Sequence, residues 1–365
     1  MRARILVALV VLVVAGDSSA KEAVRRLRAE LAPSESAQFA VENLAGSMHV
    51  VAGAGNTVSA QATIHARIPE LAALVRFERV QGEGGLPTLR VRYPLELHTN
   101  YRYPKVELEG GLLLGLLAGT PIRSEYEGKR VTISDRKGAL LWVDVEVEVP
   151  SHMTLARFRS VVGAMDGRGL SGSLRFETGF GAISLAQVRG EVVADTGSGN
   201  VSAEDVVGSF KCDAGNGDCA VTRFSGDALT CITSSGQVRI LGSSGRSVAI
   251  DTGSGSVQMD DVDATEVSVD TGSGNVDLTS PAKRLARVKA VTGSGAVRLH
   301  LSKDAEFEAR AGLGSGRIQS RYKDADPIVR KLAIVGYRRG DGRIKIEVEM
   351  GSGSLLLEPA RPPGP

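Results

Sequence analysis

Apolar and polar residues alternate along most of this chain, which is the pattern of half-buried β-strands. The clearest segment runs from Leu141 to Val149, where every second residue is Leu or Val and Asp or Glu fills most of the positions between them. Pro150 ends the segment, as expected at a strand boundary. Similar alternation begins at Phe39 and continues through the second half, so the sequence predicts an all-β chain.

The second half of the chain carries a repeat of 18 to 21 residues. Its aligned glycines are Gly181, Gly199, Gly217, Gly236, Gly255, Gly274, Gly295 and Gly316. The same phase extends back to Gly163 and forward to Gly353. A nearly constant period in this range is typical of a solenoid.

Two positions of the repeat are apolar in every copy. The position two residues after the glycine holds Ile183, Val201, Cys219, Val238, Val257, Val276, Val297 and Ile318. The position seven residues before it holds Leu174, Val192, Phe210, Leu229, Val248, Val267, Val288 and Ala309. Repeats stacked about 4.8 Å apart would bury these positions in one aliphatic core. The predicted fold is therefore a single-stranded parallel β-helix, or β-solenoid, with glycine at the corners because a tight turn there requires positive φ.

The pattern divides the chain into five parts. The repeat breaks between Ser320 and Arg343, and the turn that follows this break is expected to cap the stack. The predicted parts are a signal peptide (1–20), a short polar helix or linker (21–36), an N-terminal β region that opens the solenoid (37–150) and contains an apolar insertion (110–119), the repeat solenoid (151–358) and a disordered tail (359–365).

The first twenty residues have the features of a secretory signal. Arg2 and Arg4 precede an apolar run from Ile5 to Ala15, and small residues stand at Ser18 and Ala20. Export to the periplasm or cell surface is therefore expected, with an uncleaved N-terminal anchor as the alternative. Since no later segment reaches the roughly 18 to 20 apolar residues needed to span a bilayer, no transmembrane span is expected in the mature chain.

Composition narrows the function classes. A formal net charge of +2 gives no field that would attract nucleic acid. Aromatic residues make up 4% of the chain, which argues against a sugar-stacking groove. The histidines have no metal-ligand spacing, and no zinc-protease (HExxH), serine-esterase (GxSxG) or phosphate-loop motif occurs. No cofactor and no enzymatic activity are predicted.

Asp-Thr-Gly-Ser occurs three times in register with the repeat, and Asp-Ala-Gly occupies the same place in a fourth copy. Asp195, Asp213, Asp251 and Asp270 lead these segments. The motif matches the active-site loop of aspartic proteases, but such enzymes need two loops that face each other. A row of calcium sites is a second hypothesis, since carboxylates and turn carbonyls bind Ca²⁺. The favoured interpretation is structural: the aspartates accept hydrogen bonds from N–H groups of the corner.

Three cysteines lie close together in the repeat alignment. Cys212 and Cys231 occupy one inward column in successive repeats, and Cys219 occupies another. Neighbouring strands are close enough for a Cys212–Cys231 disulfide. Buried, unpaired thiols are the alternative, and the sequence leaves both open.

The insertion from Gly110 to Gly119 is a short, strongly apolar stretch. It is predicted either to cover the open end of the solenoid or to present a contact patch to a lipid or partner. The leucines of this candidate patch are Leu112, Leu113, Leu114, Leu116 and Leu117.

Three segments carry a family resemblance: ENLAGSMHV near the start, VEVEVP before the repeats and the recurrent DTGSGNV. Over roughly residues 39–358 the chain resembles the bacterial putative-adhesin family, a DUF4097-like domain of unknown function with β-strand repeats. The resemblance implies a β-solenoid envelope protein, exported or membrane-tethered, with no established catalytic residues.

Together these features predict a non-catalytic, adhesin-like scaffold of the cell envelope or surface. Its expected partner is an envelope protein or a glycan. A β-helical carbohydrate-active enzyme and a calcium-binding repeat protein are the alternatives.

Overall fold

A computed structural model describes residues 23–103, 121–314 and 316–360 of the chain. The predicted signal peptide and the apolar insertion lie outside these residues, as does most of the predicted tail. The chain divides into two compact units, Met1–Asn200 and Val201–Pro365. The described parts of both units are β-structure with one short α-helix, which confirms the all-β prediction. No helix among them is long and apolar enough to cross a membrane.

The first unit consists of strands joined by short turns and one helix. Its strands are β1 (Ala23–Glu30), β2 (Gln38–Ala45), β3 (Met48–Ala52), β4 (Ser59–Ala66), β5 (Arg76–Gln81), β6 (Pro87–Arg92), β7 (Asn100–Arg102), β8 (Ile122–Tyr126), β9 (Lys129–Ser134), β10 (Ala139–Val149), β11 (Leu155–Val162), β12 (Met165–Arg168), β13 (Ser171–Phe180) and β14 (Ile183–Ser198). Helix α1 covers Pro69–Leu74, and 3-10 turns cover Pro33–Glu35 and Glu83–Gly85.

The prediction of a polar helix or linker over residues 21–36 is wrong, because Ala23–Glu30 within this segment form strand β1. This strand pairs antiparallel with β4 along its whole length, from Ala23 opposite Ala66 to Glu30 opposite Ser59. Leu27 is buried on the side that faces the unit interior. Ala, Arg and Glu favour a helix locally, but pairing with a neighbouring strand decides the structure of so short a segment.

The N-terminal segment 38–52 is itself a copy of the repeat. β2 pairs in parallel with β11, and β3 pairs in parallel with β12. Further along the chain, β11 pairs with β13 and β12 with β14 in the same sense. At the corner, a Cβ on Gly163 would overlap the carbonyl oxygen of Gly46. This copy therefore stacks directly on the repeat that starts at Leu155, although residues 53–154 separate the two in the chain.

The second unit contains the longer parallel ladders. Its strands are β15 (Val201–Asp213), β16 (Cys219–Thr233), β17 (Val238–Thr252), β18 (Val257–Thr271), β19 (Val276–Ser280), β20 (Arg287–Thr292), β21 (Val297–Leu301), β22 (Phe307–Leu313), β23 (Arg317–Ser320), β24 (Asp326–Arg330), β25 (Ala333–Arg339), β26 (Ile344–Met350) and β27 (Ser354–Pro359). Consecutive repeats pair at the predicted positions. The column formed by these pairs is Val201, Cys219, Val238, Val257, Val276 and Val297.

Every residue of this column is at most 1% exposed, which confirms the predicted register. The predicted positive φ is seen at the corner glycines Gly163, Gly181 and Gly353, but the reason for glycine at Gly255 is different. Gly255 has φ outside the left-handed region, but a Cβ there would run into the carbonyl oxygen of Gly236 in the preceding repeat. Close approach of two backbones, rather than positive φ, therefore requires glycine at this corner.

The prediction that the last turn caps the stack is wrong. β26 pairs in parallel with β20 on one side and with β22 on the other, and β27 pairs likewise with β21 and β23. Residues 344–359 therefore lie between two repeats that precede them in the chain. The outward edge of β22 is instead covered by β25, which pairs with it antiparallel from Phe307 opposite Arg339 to Arg310 opposite Gly336. Such a hairpin blocks an edge strand from pairing with another chain.

Candidate functional site

The Asp-Thr-Gly-Ser segments form corners of the repeat, and the threonine hydroxyls make the hydrogen bonds that hold these corners together. The hydroxyl of Thr252 donates to the carbonyl oxygen of Gly236 at 3.3 Å and accepts from the N–H of Gly255 at 3.1 Å. The same two bonds occur at Thr233, Thr271 and Thr292. Each hydroxyl thus joins its own corner to the preceding one. The sequence assigned this role to aspartate, and Asp213 does accept from the N–H of Gly215 at 3.4 Å.

Replacing Thr252 by valine should destabilise the chain by about 2 kcal/mol, because a buried N–H and a buried carbonyl lose their partner. Thr252→Ser keeps the hydroxyl and should cost less than half as much. Urea denaturation of the two variants beside the unmodified chain measures the difference. Equal losses for valine and serine would mean that the hydroxyl contributes nothing.

The three candidate calcium ligands of the second unit do not form one group. Asp251 and Asp270 are neighbours in β17 and β18 and are both exposed. Asp213 is separated from Asp251 by Ile232, which occupies the repeat between them. Asp195 lies in the first unit, opposite Glu177 and 3.6 Å from Arg175. The calcium hypothesis stays a prediction, and Asp251 and Asp270 are an adjacent pair within the second unit.

The same placement weakens the protease hypothesis. An aspartic protease holds two carboxylates against each other so that they share one proton. Asp251 and Asp270 instead project side by side from one parallel ladder into solvent. Thr252 and Thr271, the second residues of their motifs, are occupied in joining the corners.

The three cysteines form a buried cluster within the second unit. Cys212 and Cys219 are joined in a disulfide across the corner between β15 and β16, and Cys231 is a free thiol. The Sγ atoms of Cys219 and Cys231 are 3.3 Å apart, and all three sulfurs lie within 4.8 Å of one another. The Cys212–Cys231 bridge considered from the sequence is therefore not formed, because Cys219 faces Cys212 from the other inward column. Among the described residues this is the only group of three candidate metal ligands, but the disulfide leaves it one thiol.

Peptide mapping without reduction should recover Cys212 linked to Cys219 and leave Cys231 unlinked. Burial raises the pKa of the Cys231 thiol to about 12, so almost no reactive thiolate exists at neutral pH. Alkylating reagents should therefore modify Cys231 only after denaturation. Fast labelling of the folded chain, or a linked peptide that contains Cys231, would contradict the assignment.

Ser47, His65 and Asp144 meet in the first unit, although no sequence pattern groups them. Asp144 Oδ1 accepts from both the backbone N–H and the hydroxyl of Ser47 at 2.8 Å, and Oδ2 lies 3.2 Å from Nε2 of His65. The imidazole stacks on Trp142 with ring centroids 4.8 Å apart. A nucleophilic serine must bond to the imidazole, whereas here both residues bond to the carboxylate. The arrangement therefore fixes strands rather than activating a hydroxyl.

Asp144 should make stability depend on acid pH. Burial raises its pKa, but hydrogen bonds from His65 and Ser47 outweigh this and lower the pKa from 3.8 to about 2. Because the folded-state pKa is depressed, the contribution is fully present above pH 4 and is lost as the pH falls toward 2. The linked stabilisation is about 2 kcal/mol. Asp144→Asn should remove this pH dependence in urea denaturation, whereas Glu148→Gln, at an exposed position of the same strand, should keep it. Parallel pH profiles for Asp144→Asn and the unmodified chain would refute the assignment.

The candidate apolar contact patch lies outside the described residues. The contact patch therefore stays a sequence prediction for Leu112, Leu113, Leu114, Leu116 and Leu117.

The second unit presents an ordered row of outward side chains, which we call the outer file. Each member lies between two buried residues of its strand and is paired with the next member one repeat away. The outer file consists of Ser202, Ala220, Arg239, Gln258, Asp277 and Arg298. All are exposed except Asp277, which is half-buried. Sequence alternation predicts outward residues at these positions, and the parallel register aligns them.

Comparison with known proteins adds one family and two solved structures. The family model described as Toastrack DUF4097 matches residues 144–355. A putative cell adhesion protein from Clostridium sporogenes is 10% identical, with 93% of this chain and 98% of that chain covered and a TM-score of 0.20. A putative lipid binding protein from Parabacteroides distasonis is 14% identical, with 91% and 96% covered and a TM-score of 0.42. No curated protein matches.

Neither structure is similar enough in its coordinates to support a statement about function. The family match is different in kind, because it covers more than half of the 365 residues and includes the repeats described above. It also agrees with the resemblance seen in the sequence. The chain therefore belongs to the Toastrack DUF4097 family.

Proposed function

We propose that this chain is a non-catalytic, exported scaffold of the cell envelope or surface that binds another component in the manner of an adhesin. In this proposal the repeats of each unit wind as a parallel β-solenoid with 18 to 21 residues per turn. The observation that carries it is the outer file, an ordered row of solvent-facing side chains held above a buried aliphatic column.

Parallel pairing makes this row suitable for binding. Neighbouring members are about 4.8 Å apart because that is the spacing of paired strands. Their backbone positions are set before a partner arrives, so binding costs little ordering of the chain. A partner with regularly spaced polar groups, such as an extended peptide or a glycan, can therefore contact several members at once.

The charges of the outer file favour a mixed polar partner over nucleic acid. Arg239 and Arg298 contribute positive charge, and Asp277 lies 3.9 Å from Arg298 and offsets part of it. Ser202 and Gln258 supply hydrogen-bonding groups without charge. A phosphate backbone would require a larger excess of cations along the row.

Ion pairs between repeats support the absence of catalysis. Arg223 pairs with Asp205 at 2.6 Å and Arg246 with Asp227 at 2.6 Å. Arg284 likewise pairs with Asp263 at 3.3 Å. A glycoside hydrolase needs two carboxyl groups directed at one bond, with one of them protonated. Hydrogen bonds from the paired arginines lower the pKa of Asp205 and Asp227, so these pairs fit a structural role better than the carbohydrate-active alternative.

Site-specific photo-crosslinking in the bacterial host tests the proposal. A photoreactive residue is placed at Arg239 or Arg298 in the outer file, and at Ser268 as a control on a separate exposed column. We expect the outer-file positions to cross-link to one common envelope component, and the control position to give none. A chain that remains in the cytoplasm would contradict export, and equal cross-linking at Ser268 would contradict the outer file as the binding surface.

A polysaccharide panel tests the absence of catalysis separately. Incubation of the purified chain with envelope and plant polysaccharides should release no reducing ends above a heat-treated control. Release from any substrate would favour the carbohydrate-active enzyme instead.

A further inference from the structure

The hairpin formed by β24 and β25 ends in a concentrated set of exposed apolar side chains. Val329 is 59% exposed, Leu332 101% and Ile334 43%. No other six-residue stretch of the described chain has more than one exposed large apolar residue. Val329 and Ile334 are cross-strand partners, so their side chains lie on one face, and Leu332 lies in the turn that connects the strands. We call residues 329–334 the hairpin tip.

The hairpin tip stands clear of the strands behind it. β25 pairs with β22 only from Gly336 to Arg339. Ala333 and Ile334 pair with β24 alone. Within the described residues no third strand pairs with the tip, which is therefore a two-stranded ribbon.

The turn uses residues that its geometry disfavours. Lys331 and Leu332 have φ of 49° and 67°, in the left-handed region. A two-residue turn of this kind normally uses Asn, Asp or Gly, because a side chain with a Cβ is strained there. Leu332 thus combines backbone strain with complete exposure of an apolar side chain. Strain that serves no packing purpose is a mark of a functional position.

Positive charge surrounds the apolar tip. Arg330 and Lys331 are exposed within it, and no acidic residue occurs between Asp326 and Asp341. Apolar side chains flanked by Arg and Lys match the boundary of an anionic bilayer, where apolar groups enter among the acyl chains and cations contact the headgroups. If the partner were an apolar groove on another protein, binding would require Leu332 but not the neighbouring cations Arg330 and Lys331.

We propose that the hairpin tip docks onto an anionic lipid surface. Leu332, Val329 and Ile334 enter the boundary between headgroups and acyl chains. Arg330 and Lys331 contact the negative headgroups. This inference goes beyond the proposed function and does not depend on the outer file, since the two surfaces share no residue.

Co-sedimentation of the purified full chain with vesicles tests the docking. The vesicles are phosphatidylcholine alone or phosphatidylcholine mixed with phosphatidylglycerol. Leu332→Asp should lower the partition onto mixed vesicles at least about ten-fold. The change removes the main apolar anchor and adds a negative charge, which the anionic headgroups repel. Lys331→Glu should remove the preference for mixed vesicles. Leu241→Asp is the matched control, because Leu241 is also exposed in the second unit, and it should bind as the unmodified chain does. Apolar segments 1–20 and 110–119 are identical in all these chains, so they cannot produce the differences.

Fluorescence provides an independent readout. Leu332→Trp should shift its emission to shorter wavelength on mixed vesicles, whereas Leu241→Trp should not. Trp142 is 3% exposed and gives the same background in both. Equal partition of the unmodified chain and Leu332→Asp, or no emission shift in Leu332→Trp, would overturn the proposal. A preference for phosphatidylcholine alone, or cross-linking of the tip to a protein instead of lipid, would also overturn it.

Discussion

Gly255→Ala is expected to destabilise the chain by about 3 kcal/mol or more, or to prevent folding of the second unit. An added Cβ would lie 1.7 Å from the carbonyl oxygen of Gly236 and 2.8 Å from the hydroxyl of Thr252. The first obstacle is backbone, so no change of rotamer relieves it. The two corners would have to move apart, and that movement would also break the hydrogen bonds made by Thr252.

Gly312→Ala is the matched control for this prediction. Gly312 lies in β22 of the same unit, its φ is outside the left-handed region, and a Cβ there would meet only ordinary contacts at 3.9 and 4.0 Å. Alanine at Gly312 should therefore be neutral or slightly stabilising. Thermal and urea unfolding of both variants gives the comparison. Similar melting of the two alanine variants would show that the corner backbones do not approach as closely as described.

The repeat was predictable because its signal is local in the sequence. Each corner glycine fixes the phase, and apolar residues two after and seven before it recur in every copy. Val201, Val238, Val257 and Val276 could therefore be assigned to one buried column before their coordinates were known. The role of glycine was harder to assign, since a period reveals where a small residue is needed but not whether φ or a neighbouring backbone requires it.

The order in which the repeats stack was not predictable. The segment 38–52 has the full pattern, with Phe39 and Val41 before Gly46 and with Met48 and Val50 after it, so its membership could have been found by extending the alignment. Its contact with the repeat at Leu155 could not, because a pattern of buried positions does not say which two edges meet. The insertion of β26 between β20 and β22 is the same case. The alternating aliphatic residues of β26 would be equally consistent with a strand inside the stack of repeats or at its end.

The side-chain groupings of the candidate site were also beyond the sequence. Ser47, His65 and Asp144 are distant in the chain, and antiparallel pairing of β4 with β10 is what brings the last two together. The disulfide depends on which sulfurs face each other inside the core: the repeat spacing pointed to Cys212 and Cys231, which are strand neighbours, whereas the bond joins Cys212 to Cys219. Threonine and aspartate adjoin in every Asp-Thr-Gly-Ser segment, so only the direction of each side chain separates the buried hydroxyl from the exposed carboxylate.

Val257→Asp is expected to have the largest effect of any single change in the second unit. Val257 is 1% exposed and is paired with Val238 on one side and Val276 on the other. A carboxylate there would be surrounded by aliphatic side chains with no cation to pair with it, which costs several kcal/mol even after its pKa rises. This is a large share of the stability of an ordinary domain. Because a repeat depends on its neighbours for burial, β17 and β19 should lose their structure together with β18.

Two substitutions isolate the cause of that loss. Val257→Ala removes two methyl groups without adding charge and should cost about 2 kcal/mol. Gln258→Asp adds the same carboxylate at the next residue, which is exposed in the outer file, and should change stability by less than about 0.5 kcal/mol. Amide hydrogen exchange should show lost protection in β17, β18 and β19 for Val257→Asp alone. Normal protection in that variant would place Val257 outside the core, and the buried column that supports the outer file would then not exist.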